Sequence, residues 1–351
     1  MENNSGITAL AFPFAAGVAA AALLGKPFAT AFAAAPAAVS LLAFCCFSRK
    51  RCAVPLALLF FCLGAMCWSN SALCPRVPRS TRILSTDFLT GLIDRIPFAG
   101  EHSGAIIRAL LTGRRDALPR ETVAAFRKSG ASHILALSGL HLGVIYACIR
   151  RALSPLGNSP LARGARSLLT IATCGIYAIA TGASPSIVRA LLFICINEAG
   201  RSLSARAHSP VGTFCIALTL QLALRPDVIA SSGFQLSYLA MLGITLLYPR
   251  LAAWYPEGRK SPLRAIWKSA ALSVSCQVFT APAAWVHFRS FPAFFLLTNL
   301  IALPLAEAAI IGAVAAVLLE ATCGCPPALA LACGKTVQLL EFCLETIASL
   351  S

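Results

Sequence analysis

The feature that most constrains this chain is a succession of long stretches without a single Asp, Glu, Lys or Arg. They cover residues 7–25, 27–47, 52–75, 129–149, 167–188, 228–249 and 269–288. Each approaches or exceeds the roughly 20 residues that take an α-helix across a bilayer core. Shorter or interrupted stretches follow at 190–200, 209–224, 290–319 (with Glu307) and 327–350, which holds Lys335, Glu341 and Glu345. The pattern predicts an all-α, polytopic integral membrane protein with about ten or eleven transmembrane helices, some broken or re-entrant. Composition agrees: 12% of the 351 residues are charged, against about a quarter in soluble domains. No basic segment precedes the first run, so 7–25 reads as a retained helix rather than a cleaved signal.

Charge sets the expected topology. The clusters Arg49-Lys50-Arg51, Arg150 to Arg166, Arg201 with Arg206, and Arg250 to Lys268 fall on one side if the spans alternate. By the positive-inside rule that side is the cytoplasm. Residues 76–128 then lie outside, although they carry ten basic residues against five acidic ones. Ile106, Ile107, Leu110 and Leu111 recur there at helical spacing, and 119–129 reads as a short helix closed by Gly130. One reading is an interfacial amphipathic segment whose arginines meet anionic headgroups. The other is a basic porch that collects a polyanion, with Arg114, Arg115, Arg127 and Lys128 as external contacts. A register shifted by one span would remove the anomaly. The expected organisation is a three-helix preface (1–75), the basic segment (76–128), a membrane channel domain (129–320) and a weak last helix (321–351).

Most of the fifteen cysteines lie in apolar runs and form no CxxC pair, so they read as small core residues. Cys323 and Cys325 have no histidine nearby, and the sequence calls for no metal or other cofactor.

The run 129–149 contains GASHILALSGLHLG, residues 130–143, which is too polar for a plain span. On one continuous helix, Ser132, Ala136, Gly139 and Gly143 would share a stripe and form a packing seam. His133, Ser138 and His141 would lie off that stripe. In hydrocarbon their polar atoms would need partners, which predicts a polar surface or a wet cavity.

In TGASPSIVRA, residues 181–190, Gly182 and Pro185 predict a helix break, with Ser184 capping the restart. The new helix start and Arg189, one turn in, form a natural site for phosphate or carboxylate. The alternatives for Arg189 are snorkelling to an interface or pairing with Glu198. In SSGFQLSYLA, residues 231–240, Gln235 is expected to face inward, either to a pore or to a neighbouring helix. In NLIALPL, residues 299–305, Pro304 suggests another break. Neither GxSxG nor HExxH occurs, which argues against hydrolase and metalloprotease chemistry.

Taken in order, LLTGRRDALPRETVAAFRKSGASHILALSGLHLG, TGASPSIVRA, SSGFQLSYLA and NLIALPL resemble the membrane (competence) domain of the ComEC family of DNA-uptake channels. The resemblance covers about residues 105–305, and its first two blocks are the specific ones. It implies a multi-pass bacterial inner-membrane protein that conducts single-stranded DNA into the cytoplasm during natural transformation. Its partners would be single-stranded DNA and membrane lipids, with a DNA receptor, a cytoplasmic ATPase and a separate nuclease as candidates. A homo-oligomer is a further candidate arrangement. Under this reading His133, Ser138, His141, Ser184, Arg189 and Gln235 line the DNA path. Family members commonly carry an OB-fold-like domain and a metallo-β-lactamase-like domain as well. Too few residues separate Cys74 from Gly104 for the first, and no HxHxDH cluster marks the second. The expectation is therefore a non-enzymatic channel lacking both. The rival expectations are a transporter of small anions or nucleotides and a non-transporting membrane scaffold.

Overall fold

The computed structural model describes residues 5–24, 37, 39–40, 53–69, 79–157, 159–202, 209–255, 262–289 and 293–350. The 27–47 run falls almost wholly outside the described residues. The basic cluster Arg49-Lys50-Arg51 and Arg206 lie outside them too.

The described chain is all-α. Its helices are α1 (Ser5–Leu24), α2 (Ala53–Ser69), α3 (Arg79–Arg95), α4 (Ser103–Thr112), α5 (Arg120–Lys128), α6 (Ser132–Leu135), α7 (Gly139–Ala152) and α8 (Pro160–Ala180). Then follow α9 (Pro185–Ser202), α10 (Pro210–Leu224), α11 (Ser232–Leu246), α12 (Tyr248–Ala252), α13 (Pro262–Phe288), α14 (Phe295–Thr322) and α15 (Pro327–Ser349). Local chemistry sets several starts. Ser159, Ser209 and Ser231 accept from the backbone N–H of Ala162, Gly212 and Phe234, and Pro160 and Pro210 open their helices.

Four described helices are long and apolar enough to cross a membrane: Gly6–Leu24, Leu263–Phe288, Phe295–Thr322 and Pro327–Ser349. Helices α10, α11 and α14 are strongly apolar and show no single polar face, as helices embedded in lipid and protein are. This is an all-α membrane protein.

Three packed groups make up the bundle. Helices α1 and α2 form a tight antiparallel pair against α10. The Cβ positions of Gly17 and Gly64 would lie 1.9 and 2.1 Å from the carbonyl oxygens of Phe61 and Phe14. Only glycine lets two backbones approach so closely. A second group is α7, α8 and α9, around Leu142, Cys174 and Ile187. The third gathers α3 to α6 against α14 and α15.

The third group takes in much of the basic segment. On α4, Ile106, Ile107, Ala109 and Leu110 are buried in its core. Arg108 pairs with Asp94, and Arg114 pairs with Asp87. The partner numbers fall along α3 as they rise along α4, so the two helices run antiparallel, joined by these ion pairs. Arginines that seemed destined for headgroups are thus partly satisfied within the hairpin. Helix α15 closes over it, where Ser103 Oγ donates to Gly334 O (3.3 Å) and Thr122 Oγ1 to Glu341 Oε1 (3.0 Å).

Two expectations about helix breaks exchange places. Pro304 interrupts nothing, because α14 continues through it from Phe295 to Thr322. Membrane helices tolerate proline where neighbouring groups satisfy the freed carbonyl. The run 129–149, expected as one helix, is divided: α6 ends at Leu135, Ala136 is extended, and Ser138 caps α7. The proposed stripe of Ser132, Ala136, Gly139 and Gly143 therefore does not exist. A Cβ on Gly143 would meet nothing within 4 Å, since this residue lines an open groove between α7 and α14.

Candidate functional site

Several helix ends meet at one end of the bundle. The carboxyl end of α4 touches the α8 terminus, where Tyr177 Oη donates to Leu111 O (2.8 Å). Gly113, in the left-handed region at φ 74°, packs on Leu137 in the break before α7. Arg115 Nε donates to Leu135 O (3.2 Å), satisfying a carbonyl freed where the helix stops. Helix α8 turns into α9 through Gly182 and Ala183, at φ 84° and 48°. Ser184 Oγ accepts from Ile187 N at 3.4 Å, which is the expected cap. The break is a hairpin turn between two long helices rather than an interruption of one span.

The starts of α7, α9 and α11 converge here. Ser186 Oγ, in the first turn of α9, donates to Gly233 O in the first turn of α11 (3.4 Å). Gly139, the first residue of α7, lies against Arg189. A Cβ there would be 3.0 Å from Arg189 Nη2 and 3.4 Å from Ala190 Cβ. Each helix start directs unpaired N–H groups and a partial positive charge toward its end.

Arg189 is the centre of this arrangement. The residue is 9% exposed, and its Nη1 has no hydrogen-bond partner among the described residues. The guanidinium carbon stands 6.0 Å from the Tyr238 ring centroid, at the outer range of a cation–π contact. Tyr238 is itself fixed, donating through Oη to Gln221 Oε1 (2.8 Å), while Gln221 Nε2 donates to Pro185 O (2.9 Å). A buried cation without a carboxylate is costly unless an anion completes it.

The other sequence candidates divide clearly. Ser138 and His141 form a reciprocal cap at the start of α7: Ser138 Oγ accepts from Leu140 N, and His141 Nδ1 accepts from Ser138 N (3.2 Å). His141 is 1% exposed, and its Nε2 lacks a partner among the described residues. His133, on α6, is exposed, with Nδ1 3.1 Å from Gly130 O. Gln235, in the first turn of α11, has partners other than Arg189. Its Nε2 donates to Ile229 O (3.0 Å) and its Oε1 faces His287 Nε2 at 2.7 Å. With the amide oxygen as acceptor, His287 carries its proton on Nε2. Arg114 is occupied by Asp87 and Asp116, whereas Arg127 and Lys128 close α5 with exposed side chains.

Glu198 is not the partner of Arg189. It lies at the opposite end of α9, 0% exposed, where Arg150 and Arg201 reach it at 3.2 and 3.1 Å. Tyr146 Oη and Ser167 Oγ each donate to it at 2.7 Å. Sequence reasoning missed Gln221, Tyr238 and this cluster. Only Glu198 carried a signal, as the sole acidic residue between Glu121 and Asp227.

Comparison with known proteins gives this geometry a setting. The family model described as "Competence protein" matches residues 110–351. ComE operon protein 3 of Bacillus subtilis (strain 168) is 29% identical over 218 residues, 62% of this chain and 26% of the relative. The uncharacterized protein YcaI of Escherichia coli (strain K12) is 26% identical over 217 residues, 57% of this chain and 27% of the relative. The chain thus spans about a quarter of the length of these curated relatives. No solved structure matches. The match runs from the last turn of α4 through the helix starts that surround Arg189, and the chain belongs to the Competence protein family.

Proposed function

We propose that this protein takes part in DNA uptake, conducting single-stranded DNA through the bacterial inner membrane into the cytoplasm. The observation that supports this best is the buried Arg189 guanidinium, with Nη1 unpartnered at the meeting of three helix starts. A strand bears one charge per nucleotide, and crossing a membrane strips water from each. A path for it needs fixed donors and positive potential, and at Arg189 no carboxylate among the described residues competes for them. Arg189, the amides of α7 and α9, and the free His141 Nε2 supply such donors. The process is passage without covalent chemistry or a cofactor. Membrane lipids surround the protein, and a DNA receptor, a cytoplasmic ATPase, a separate nuclease and a second copy of the chain are its candidate partners.

In this reading the Arg189 end of the bundle faces outward and the Arg150–Arg201 end inward, as the distribution of basic loops favours. A transporter of small anions or nucleotides would use one such site in the same way. The two differ in length dependence, because a DNA path holds longer strands more tightly.

The test follows labelled DNA into the nuclease-protected cytoplasm of host cells carrying wild type, a deletion, or Arg189→Ala at matched abundance. Loss of cytoplasmic DNA in both mutants, with surface binding intact, is the expected result. Unchanged uptake in the deletion strain of a competent host would overturn the proposal. Mononucleotide uptake lost in its place would establish the transporter.

A further inference from the structure

At the end of the bundle away from Arg189, one carboxylate has collected an unusual number of donors. Glu198 Oε1 accepts from Tyr146 Oη (2.7 Å) and Arg201 Nη1 (3.1 Å), and Oε2 accepts from Ser167 Oγ (2.7 Å) and Arg150 Nη1 (3.2 Å). Arg201 Nη1 also donates to Tyr146 Oη (2.7 Å). The donors come from α7, α8 and α9, so the cluster binds three helices at one point. Two guanidinium groups and two hydroxyls around a pair of oxygens are what a phosphate diester would require. Here the chain supplies the anion itself.

The burial is asymmetric in a way that matters. The Glu198 side chain is 0% exposed, while those of Arg150 and Arg201 are 26% and 55% exposed. The shortest bonds to the carboxylate are the two from neutral hydroxyls, and the two from arginine are longer. An anion arriving at this end meets the arginines first, and it can draw them away while Tyr146 and Ser167 still hold Glu198. The wider surroundings favour arrival, since Arg151, Arg163 and Arg166 add to the same stretch of sequence and no second acidic residue does.

We propose that Arg150 and Arg201 form a second phosphate site, closed in the resting protein by Glu198 acting as an internal counter-anion. Backbone phosphates leaving the path exchange with Glu198 for the two arginines, and the pair reverts when the strand has passed. This rests on the reading that a polyanion crosses the bundle. The site is a contact for passage and performs no covalent step.

The test uses purified full-length protein in detergent free of phospholipid, at constant ionic strength, with inorganic phosphate and a short single-stranded oligonucleotide as probes. Phosphate binding to the arginine pair does not require transport, so it is separable from the outcome of the uptake assay. Glu198→Gln keeps the shape of the side chain and removes the resident charge. It is expected to show saturable thermal stabilisation by phosphate at a concentration about tenfold or more below wild type, the size of one charge-assisted hydrogen bond. Adding Arg150→Gln and Arg201→Gln to that variant should abolish the effect. No gain in phosphate response for Glu198→Gln would overturn the proposal.

If Glu198→Gln does not fold, Ser167→Ala serves. It removes a hydroxyl that holds Glu198 once the arginines have left, keeps all charges in place, and is expected to raise the phosphate requirement about threefold; an unchanged or lowered requirement overturns the proposal. Oligonucleotide should replace phosphate in the responsive variants. If only added anionic phospholipid does so, the arginines belong to lipid headgroups and the strand contact is refuted.

Discussion

Arg189 and Glu198 lie nine residues apart on the same helix, both buried, and do not pair with each other. At 1.5 Å per residue they are separated by about 14 Å along the axis. Arg189 is left without a counter-ion among the described residues, while Glu198 holds two arginines from positions 150 and 201. Pairing them with each other would have neutralised both. Their separation leaves one end of α9 open to an anion and the other closed by one.

A buried, unpaired guanidinium is a cost to the fold, so replacing it with an apolar side chain of similar length should separate stability from function. Arg189→Met is expected to be as stable as wild type, or more stable by about 1–2 kcal/mol. Its DNA uptake should fall to the level of a deletion. Thermal unfolding of the purified variant and uptake at matched abundance check this together. A marked loss of stability would mean that Arg189 has a structural partner.

Gly139 and Gly143 sit four apart on α7 and make opposite predictions. A methyl group on Gly139 would press on Arg189 Nη2 at 3.0 Å, whereas one on Gly143 enters open space. Gly139→Ala should reduce uptake by displacing the guanidinium, with abundance maintained. Gly143→Ala should leave uptake intact and stabilise the helix by about 0.5–1 kcal/mol. Equal damage from both would restore a glycine packing seam on this helix.

The comparison of these two glycines shows how far the sequence could be read. Apolar runs revealed the all-α membrane fold because hydrocarbon permits few alternatives. The α8–α9 turn was legible because Gly182 and Pro185 act on their own backbone. The break before α7 was not. Ala136-Leu137-Ser138 contains no proline or glycine, and the partners that stabilise the break, Arg115 on Leu135 O and Gly113 beside Leu137, come from about twenty residues upstream. Arg189 could be chosen as an anion ligand from its place near a helix start. Its aromatic neighbour Tyr238, and the Gln221 that holds that ring, are brought in by tertiary packing alone.

The α1–α2 pair offers a test of fold that does not depend on function. A Cβ on Gly17 or Gly64 would overlap a backbone carbonyl at 1.9 or 2.1 Å, and backbone cannot yield as a side chain can. Gly17→Ala and Gly64→Ala should each destabilise the protein by about 1–3 kcal/mol. Lower steady-state abundance in membranes is the expected readout. Wild-type levels for both would show that the two helices do not approach so closely.

The last prediction concerns the basic segment, where one charge is engaged and another is exposed. Arg114 is held by Asp87 and by Asp116, whereas Arg127 is exposed at the end of α5. A contact to a single-stranded phosphate contributes about 0.7 to the slope of log affinity against log salt. Arg127→Gln is therefore expected to lower that slope for oligonucleotide binding by about 0.7, and to weaken binding most at low salt. Arg114→Gln should leave the slope unchanged and act on the α3–α4 hairpin instead, and only slightly, because exposed ion pairs contribute little to stability. Oligonucleotide titrations across a salt series, with thermal unfolding of the same variants, distinguish the two arginines. A reduced slope in Arg114→Gln would mean that incoming DNA displaces Asp87 and Asp116. An unchanged slope in Arg127→Gln would remove this residue from DNA capture and leave the basic segment as part of the core alone.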